Sequence, residues 1–332
     1  AGQLASRQRG QQRDKIDAAQ RKLLSRMSNG KFRERRRFRE IPFLVMDVDE
    51  SQLDMLSSLP EVTSIEEDVL SRPSLASSNA ILGSPAAWSA GYDGRGFAVA
   101  VLDTGVDGSH PYFAATGKVL EEACFSSNVP GQGGTSTCPG GVEVSMAVGS
   151  ARPCSTADCD HGTHLAGIAV GNPPSGTNFG VARGAELIAV QIYTDFDNVG
   201  YCGNSQPCSL SYASDQIAAM EYIYSLSDIY NIAAVNLSLG AGAYDGYCDV
   251  SEVGRKAAID NLRSVGIATI AASGNDGQLN QLQSPACISS AISVGASTGA
   301  DTVASFSNVA DNLSLLAPGI SVTSSVPGGG TN

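Results

Sequence analysis

An α/β fold with a parallel sheet covered by helices on both faces is predicted for most of this chain, on three observations. From residue 185 onward strand and helix patterns alternate: Ala185 to Tyr193, Ser214 to Leu226, Ala233 to Leu239, Ser251 to Ser264 and Gly266 to Ala272. The strands are near-continuous apolar runs, as strands buried on both faces are. Unusual polar loops follow them at their carboxyl ends, where parallel sheets gather functional groups. A smaller α/β module precedes this domain, with the boundary near residue 75.

The front module begins with a helix over residues 11 to 28, where Ile16, Ala19, Leu23 and Met27 recur at helical spacing and Gly30 ends the run. Ile41 to Val48 is predicted as a strand, Glu50 to Leu59 as a short helix closed by Pro60, and Val62 to Ile65 as a further strand. Ser74 to Asn79 is small and polar and reads as a linker. The second domain opens with Phe97 to Leu102, an apolar strand that delivers Asp103-Thr104-Gly105 at its end. Asp160-His161-Gly162-Thr163-His164 then introduces a small-residue apolar run that reads as a buried helix.

Composition limits the function. With 332 residues, 42% hydrophobic and 16% charged, the chain can bury a large core beside a smaller one. No apolar run reaches bilayer length, and the opening residues lack a leader pattern, so Ala1 is expected to follow a removed segment. Eight cysteines point to disulfides and an oxidising compartment, with the spacings Cys154 to Cys159 and Cys202 to Cys208 suggesting loops tied at their bases. A metal site is the competing use, weakened by the absence of any Cys-x-x-Cys pair. Residues 1 to 40 hold 13 Lys/Arg against 4 Asp/Glu, about +9, and the remainder carries about −21. The acidic remainder is therefore the expected partner of the basic segment, in place of nucleic acid; a solvated charge run around Arg33 to Arg39 is the alternative.

His161 is a proton-transfer residue by chemistry, Asp103 a carboxylate that needs a partner after five apolar residues, and Asn275 an amide between Gly274 and Gly277 that can donate into a cleft. Each also fits an ordinary role locally: a loop histidine, a turn or N-cap aspartate, an Asn-type turn.

Taken in order, Asp103-Thr104-Gly105, His161-Gly162-Thr163-His164 and Ala272-Ser273-Gly274-Asn275 resemble the subtilisin-like serine proteases, the subtilase family. Ile292 to Ala296, Leu316-Ala317-Pro318-Gly319 and Val326-Pro327-Gly328-Gly329-Gly330 extend the likeness over residues 80 to 332, and residues 40 to 72 resemble the end of the family's inhibitory propeptide. The resemblance implies a subtilisin-like three-layer fold behind a small ferredoxin-like propeptide, with domains at 1–75 and 76–332. It implies secretion, protein or peptide substrates, and hydrolysis through an Asp/His/Ser triad without a chemical cofactor. Asp103 and His161 would serve as triad members and Asn275 as oxyanion donor. Ser238, Leu239, Gly240, Ala272, Ser273 and Gly274 would wall the specificity pocket, and Val69 to Ser74 would lie in the cleft like a product. The family's serine stands in Gly-Thr-Ser-Met-Ala, which is expected beyond Asn332, leaving residues 1–332 inactive alone. Gly134-Thr135-Ser136 has similar letters but precedes His161 and lacks the apolar helix. Asp160 stands where many relatives have glycine, and Gly171 to Gly180 lacks the family's calcium-loop sequence, so calcium is an expectation without a ligand set. Two alternatives stay open: a non-catalytic peptide-binding relative, and a metal site on Asp160, His161 and His164.

Overall fold

The computed structural model describes residues 6–27, 32–65, 70–73, 79 and 81–332. In the front module α1 (Ser6–Arg26) packs against a hairpin of β1 (Arg33–Arg37) and β2 (Leu44–Asp47), followed by α2 (Glu50–Ser58). The stripe that α1 buries runs through Ile16 and Gln20 and is continued by Met27 just past its end, and Ala19 is exposed. A polar side chain takes the buried position because it has work there: Gln20 Nε2 donates to the carbonyls of Phe38 (2.8 Å) and Phe43 (2.9 Å), fastening helix to hairpin. A capping box starts α2, with the Gln52 N–H donating to Asp49 Oδ1 at 3.0 Å and the Asp49 N–H to Gln52 Oε1 at 3.2 Å. Gly30 lies outside the described residues, as do 66–69 and 74–78.

One expected strand is absent from this module and one unforeseen strand is present. Val62 to Ile65 forms no strand, and the charge run Arg33 to Arg39 contains one: β1 reads Arg-Glu-Arg-Arg-Arg and pairs antiparallel with β2. The basic residues also pair mainly inside their own module. Arg13 binds Glu40 and Arg37 binds Glu34 within residues 1–40, while Lys22 and Arg26 share Glu61 and Arg35 faces Asp47 of the acidic remainder but still inside the front module; among the described residues the ion pair that reaches the larger domain is Arg36 to Asp215 at 2.6 Å. What joins the two parts is instead burial of Phe38 and Ile41 in the larger domain's core, together with a carboxylate.

The larger domain continues through β3 (Leu70–Pro73), α3 (Ser84–Ser89), β4 (Ala98–Asp103), α4 (Pro111–Ala114), β5 (Val119–Phe125), β6 (Gly134–Ser136), β7 (Val144–Ser145) and α5 (His161–Val170). Then come β8 (Glu186–Gln191), β9 (Thr194–Phe196), α6 (Val199–Cys202), β10 (Cys208–Tyr212), α7 (Ala213–Leu226), β11 (Ile232–Leu237) and β12 (Leu239–Tyr244). The last elements are α8 (Val253–Ser264), β13 (Ala268–Ala272), β14 (Leu282–Ser284), β15 (Ile292–Ser297), β16 (Leu315–Pro318), β17 (Ser325–Val326) and β18 (Gly330–Thr331). Eight strands form the central sheet in the order β16-β15-β13-β11-β4-β8-β5-β7, parallel throughout except for the edge strand β7.

Strand parity makes the three layers. Ala98, Ala100 and Leu102 of β4 join Ile188 and Val190 of β8 in a core with α7 and α8, while Val101, Leu187 and Ala189 face α5 and α4 on the other side. Both faces are covered, which is why these strands read as apolar runs. Asp103 continues the parity of Val101 and so emerges on the α5 side. A second sheet, β14-β12-β3-β10-β9-β6, crosses the rim, with β3 antiparallel to β10 on one side and to β12 on the other.

Glu221 on α7 is the carboxylate that receives the front module. Its Oε1 accepts from the backbone N–H groups of Glu40 (2.9 Å) and Ile41 (3.2 Å), and its Oε2 from that of Arg39 (3.2 Å). Burial outweighs these donors and raises the carboxyl from 4.5 to about 7. A raised carboxyl contributes stability that is fully present below the ordinary value and lost as pH rises through about 7. We therefore expect the docked module to loosen between pH 5 and 8, by about 3 kcal/mol at the full shift. Amide exchange of Arg39 to Ile41 should follow that window in the parent, and Glu221→Gln should flatten the dependence.

Candidate functional site

Segments far apart in sequence lie at the carboxyl ends of the central strands, and two of them, around Asp103 and His161, are in direct contact. Asp103 ends β4 and is fully buried. His161 opens α5, 4% exposed, and its Nδ1 lies 2.6 Å from Asp103 Oδ1, the distance of a charge-assisted hydrogen bond. The ring is thus held with Nδ1–H toward the carboxylate and Nε2 as the nitrogen able to take a proton. The same carboxylate oxygen accepts from the Thr104 N–H at 2.7 Å, and Asp103 Oδ2 is buried without a partner among the described residues.

The backbone around the pair explains why both motifs carry glycine. The Gly162 N–H donates to Thr104 Oγ1 at 2.9 Å, seating the first turn of α5 directly on the Asp103-Thr104-Gly105 turn. A Cβ on Gly162 would meet the Gly105 carbonyl oxygen, and one on Gly105, at φ 98°, would meet the Arg152 carbonyl. The helix can approach the turn closely enough for the 2.6 Å contact only with both side chains absent.

Asn275 lies two strands away from Asp103 in the sheet, in the loop after β13, where its side chain is exposed. That loop is held by Asn308, which sequence patterning does not single out. The buried Asn308 Oδ1 accepts from the N–H groups of Asp276 (3.0 Å) and Gln278 (3.0 Å), and its own N–H donates to the Gly274 carbonyl at 3.0 Å. Ala272, Ser273 and Gly274 run out of β13, with Ser273 N–H donating to Val294 O at 2.9 Å. Ser238 joins β11 to β12, and Leu239 and Gly240 pair in register with Pro73 and Arg72 of β3. On the opposite side Ser211 and Tyr212 pair with Ser71 and Leu70. An extended segment of this chain thus fills the slot between β10 and β12.

His164, three residues after His161, does not join the pair. It is buried, with Nε2 3.0 Å from the Val322 carbonyl and 3.2 Å from that of Asn332, and Asp160 is exposed. Among the described residues the one group of three His, Cys, Asp or Glu side chains close enough to share an ion is Cys154, Cys159 and Asp195, whose two sulfurs are joined in a disulfide. Residues 171 to 180 contain no carboxylate. Thr135 and Ser136 lie in β6, with Ser136 Oγ donating to Val142 O at 2.6 Å, away from the imidazole's surroundings. All eight cysteines are bridged, as Cys124–Cys138, Cys154–Cys159, Cys202–Cys208 and Cys248–Cys287. A cavity of about 410 Å³ opens beside the pair, lined by Asp160, His161, His164, Gly319, Val322 and Asn332 among others.

Comparison with protein families matches residues 94–331 to the subtilase family. Over 303 residues the chain is 30% identical to subtilisin NAT of Bacillus subtilis subsp. natto, covering 89% of this chain and 66% of the relative. It is 32% identical over 288 residues to the extracellular serine proteinase of Thermus sp. (strain Rt41A), covering 85% and 58%. It is 33% identical over 251 residues to the subtilisin of Bacillus pumilus, covering 74% and 72%. The chain thus spans less than two thirds of the length of the first two relatives.

Gly162→Ala forces α5 off the turn, since the atom it would meet is backbone. The expected cost is about 1–3 kcal/mol, read as a lower denaturation midpoint; an unchanged midpoint would show that the close seating is not needed.

Proposed function

The chain belongs to the subtilase family, and from that premise we propose that it is the zymogen of a secreted serine endopeptidase. The observation that carries this is the Asp103–His161 hydrogen bond at the carboxyl ends of a parallel sheet. His161 Nε2 would take the proton of an attacking serine hydroxyl and return it to the leaving amine, so that His161 acts as base and then as acid. Asp103 would hold the tautomer in which Nε2 is the accepting nitrogen, and would stabilise the imidazolium that forms. Asn275, in the exposed loop braced by Asn308, would donate its amide to the oxyanion. The nucleophile belongs to a Gly-Thr-Ser-Met-Ala segment that these 332 residues do not contain, so residues 1–332 are inactive by themselves.

The slot between β10 and β12 supports the substrate class. Its partners pair through backbone groups with an extended chain, which is how a polypeptide is gripped irrespective of its side chains. Ser238 to Gly240 and Ala272 to Gly274 would wall the pocket at its end. Residues 70–73 occupy the slot in the unprocessed chain, which makes residues 1–75 an inhibitor, and the burial of Phe38 and Ile41 against α7 and α8 suits a folding template. Four disulfides fit an oxidising compartment.

A peptide-binding protein without catalysis would use the same slot, and covalent labelling separates the two. A chain extended to include the serine should react with a fluorophosphonate once residues 70–73 have left the slot. Labelling should disappear in His161→Ala and slow by about 10⁴-fold in Asp103→Asn, the effect that substitution has in such triads. No labelling of the extended chain after removal of residues 1–73, or turnover of an unstructured protein by residues 1–332 that His161→Ala abolishes, would overturn this account. Deleting residues 1–72 should lower the refolding yield.

A further inference from the structure

Residues 154 to 159 form a small disulfide-closed loop just ahead of α5. One side of it holds the Asp103–His161 pair. The Cys154 N–H donates to the Thr104 carbonyl at 2.9 Å, one residue past Asp103, and the His161 N–H to the Asp158 carbonyl at 3.3 Å. The other side rests on Ser209 of β10, a side chain 2% exposed. Ser209 Oγ donates to Asp195 Oδ1 at 2.5 Å, lies 2.8 Å from Thr156 Oγ1, and is 3.3 Å and 3.5 Å from the sulfurs of Cys154 and Cys159. Asp195 is the register partner of Ser209 and also accepts from Ser155 Oγ at 2.6 Å. Two residues further along β10, Ser211 pairs with Ser71 of the segment in the slot.

We propose that Ser209, acting through the Cys154–Cys159 loop, is a positioning residue that couples the peptide-pairing strand β10 to the His161 imidazole; this rests on His161 being the base. A hydroxyl has one proton to give. Asp195 receives it in a charge-assisted bond, which leaves the oxygen's lone pairs to accept from Thr156 on the loop. The loop has six residues and is closed by a covalent bond, so it has few conformations in which to absorb a displacement. A shift of β10 when a peptide enters or leaves is therefore passed to Thr104 and to the first turn of α5. Both ends of that path touch the proton-transfer geometry: Thr104 N–H shares Asp103 Oδ1 with the imidazole, and Gly162 N–H holds Thr104 Oγ1.

Proton NMR of the full 332-residue chain tests this, because the chain has three histidines. In the parent the His161 Nδ1 proton, bound to Asp103, should give a downfield, exchange-protected signal. Ser209→Ala should shift that signal and speed its exchange with water, and Thr156→Val, at a half-exposed position that leaves the core intact, should do the same. Ser209→Thr, which keeps the hydroxyl, should restore it. The His110 ring, 2.8 Å from the Gly330 carbonyl and outside this path, should be unmoved in every variant. A His161 signal in Ser209→Ala and Thr156→Val that superimposes on the parent's would overturn the proposal, as would a His110 signal that moves equally, the mark of general loosening. If the parent itself lacks the downfield signal, the Asp103–His161 pair fails and this proposal falls with it.

Discussion

A single buried carboxylate oxygen organises the larger domain. Asp103 Oδ1 binds both the Thr104 N–H and the His161 imidazole inside a fully buried site, where an ionised group is stable only if such partners are fixed. The consequences spread outward. Gly105 and Gly162 are glycine because α5 must sit on the turn, α5 must start at His161, and the parity of β4 must turn Asp103 toward that helix. Each feature makes sense by reference to the 2.6 Å contact, and none of them would be required of an ordinary α/β core.

A second constraint on the larger domain is the slot between β10 and β12. Strands β10 and β12 stand with a gap one strand wide between them, and the chain fills it with residues 70–73. Unpaired strand edges attract other chains, and here the edge is covered by a segment of the same polypeptide. The front module is anchored independently of that segment, by Phe38 and Ile41 in the core and by the Glu221 carboxylate under three backbone N–H groups. Holding the segment at one end makes its occupancy of the slot an intramolecular event, with a correspondingly high effective concentration.

What could be read from sequence follows from how locally each feature is encoded. Strands β4, β8, β11 and β13 and helices α7 and α8 were legible because burial on both faces leaves apolar runs and the helices keep their 3.6-residue period, whereas β5 (Val119–Phe125) carries two glutamates and went unmarked. Asp103 and His161 were legible as chemistry at strand and helix ends. Cys154–Cys159 and Cys202–Cys208 could be read from spacing, whereas Cys248–Cys287, 39 residues apart, could not. Strand β1 was hidden because its five residues are all charged and its pairing depends on β2. Val62 to Ile65 misled in the other direction: three of its four residues are β-branched, yet it pairs with no strand among the described residues. Gln20, Asn308 and Ser209 act through partners up to 55 residues distant, and no periodicity marks a polar residue whose value lies in a remote contact.

That residues 70–73 keep the proposed peptide cleft occupied is the reading on which the rest depends. It is tested most directly by the time course of labelling with a peptide-based fluorophosphonate, in a chain carrying the serine, against loss of residues 1–73. Labelling that stays low while the segment remains and rises in step with its release is the result this structure predicts. Full-rate labelling with residues 70–73 still in place, or none after their release, would contradict it.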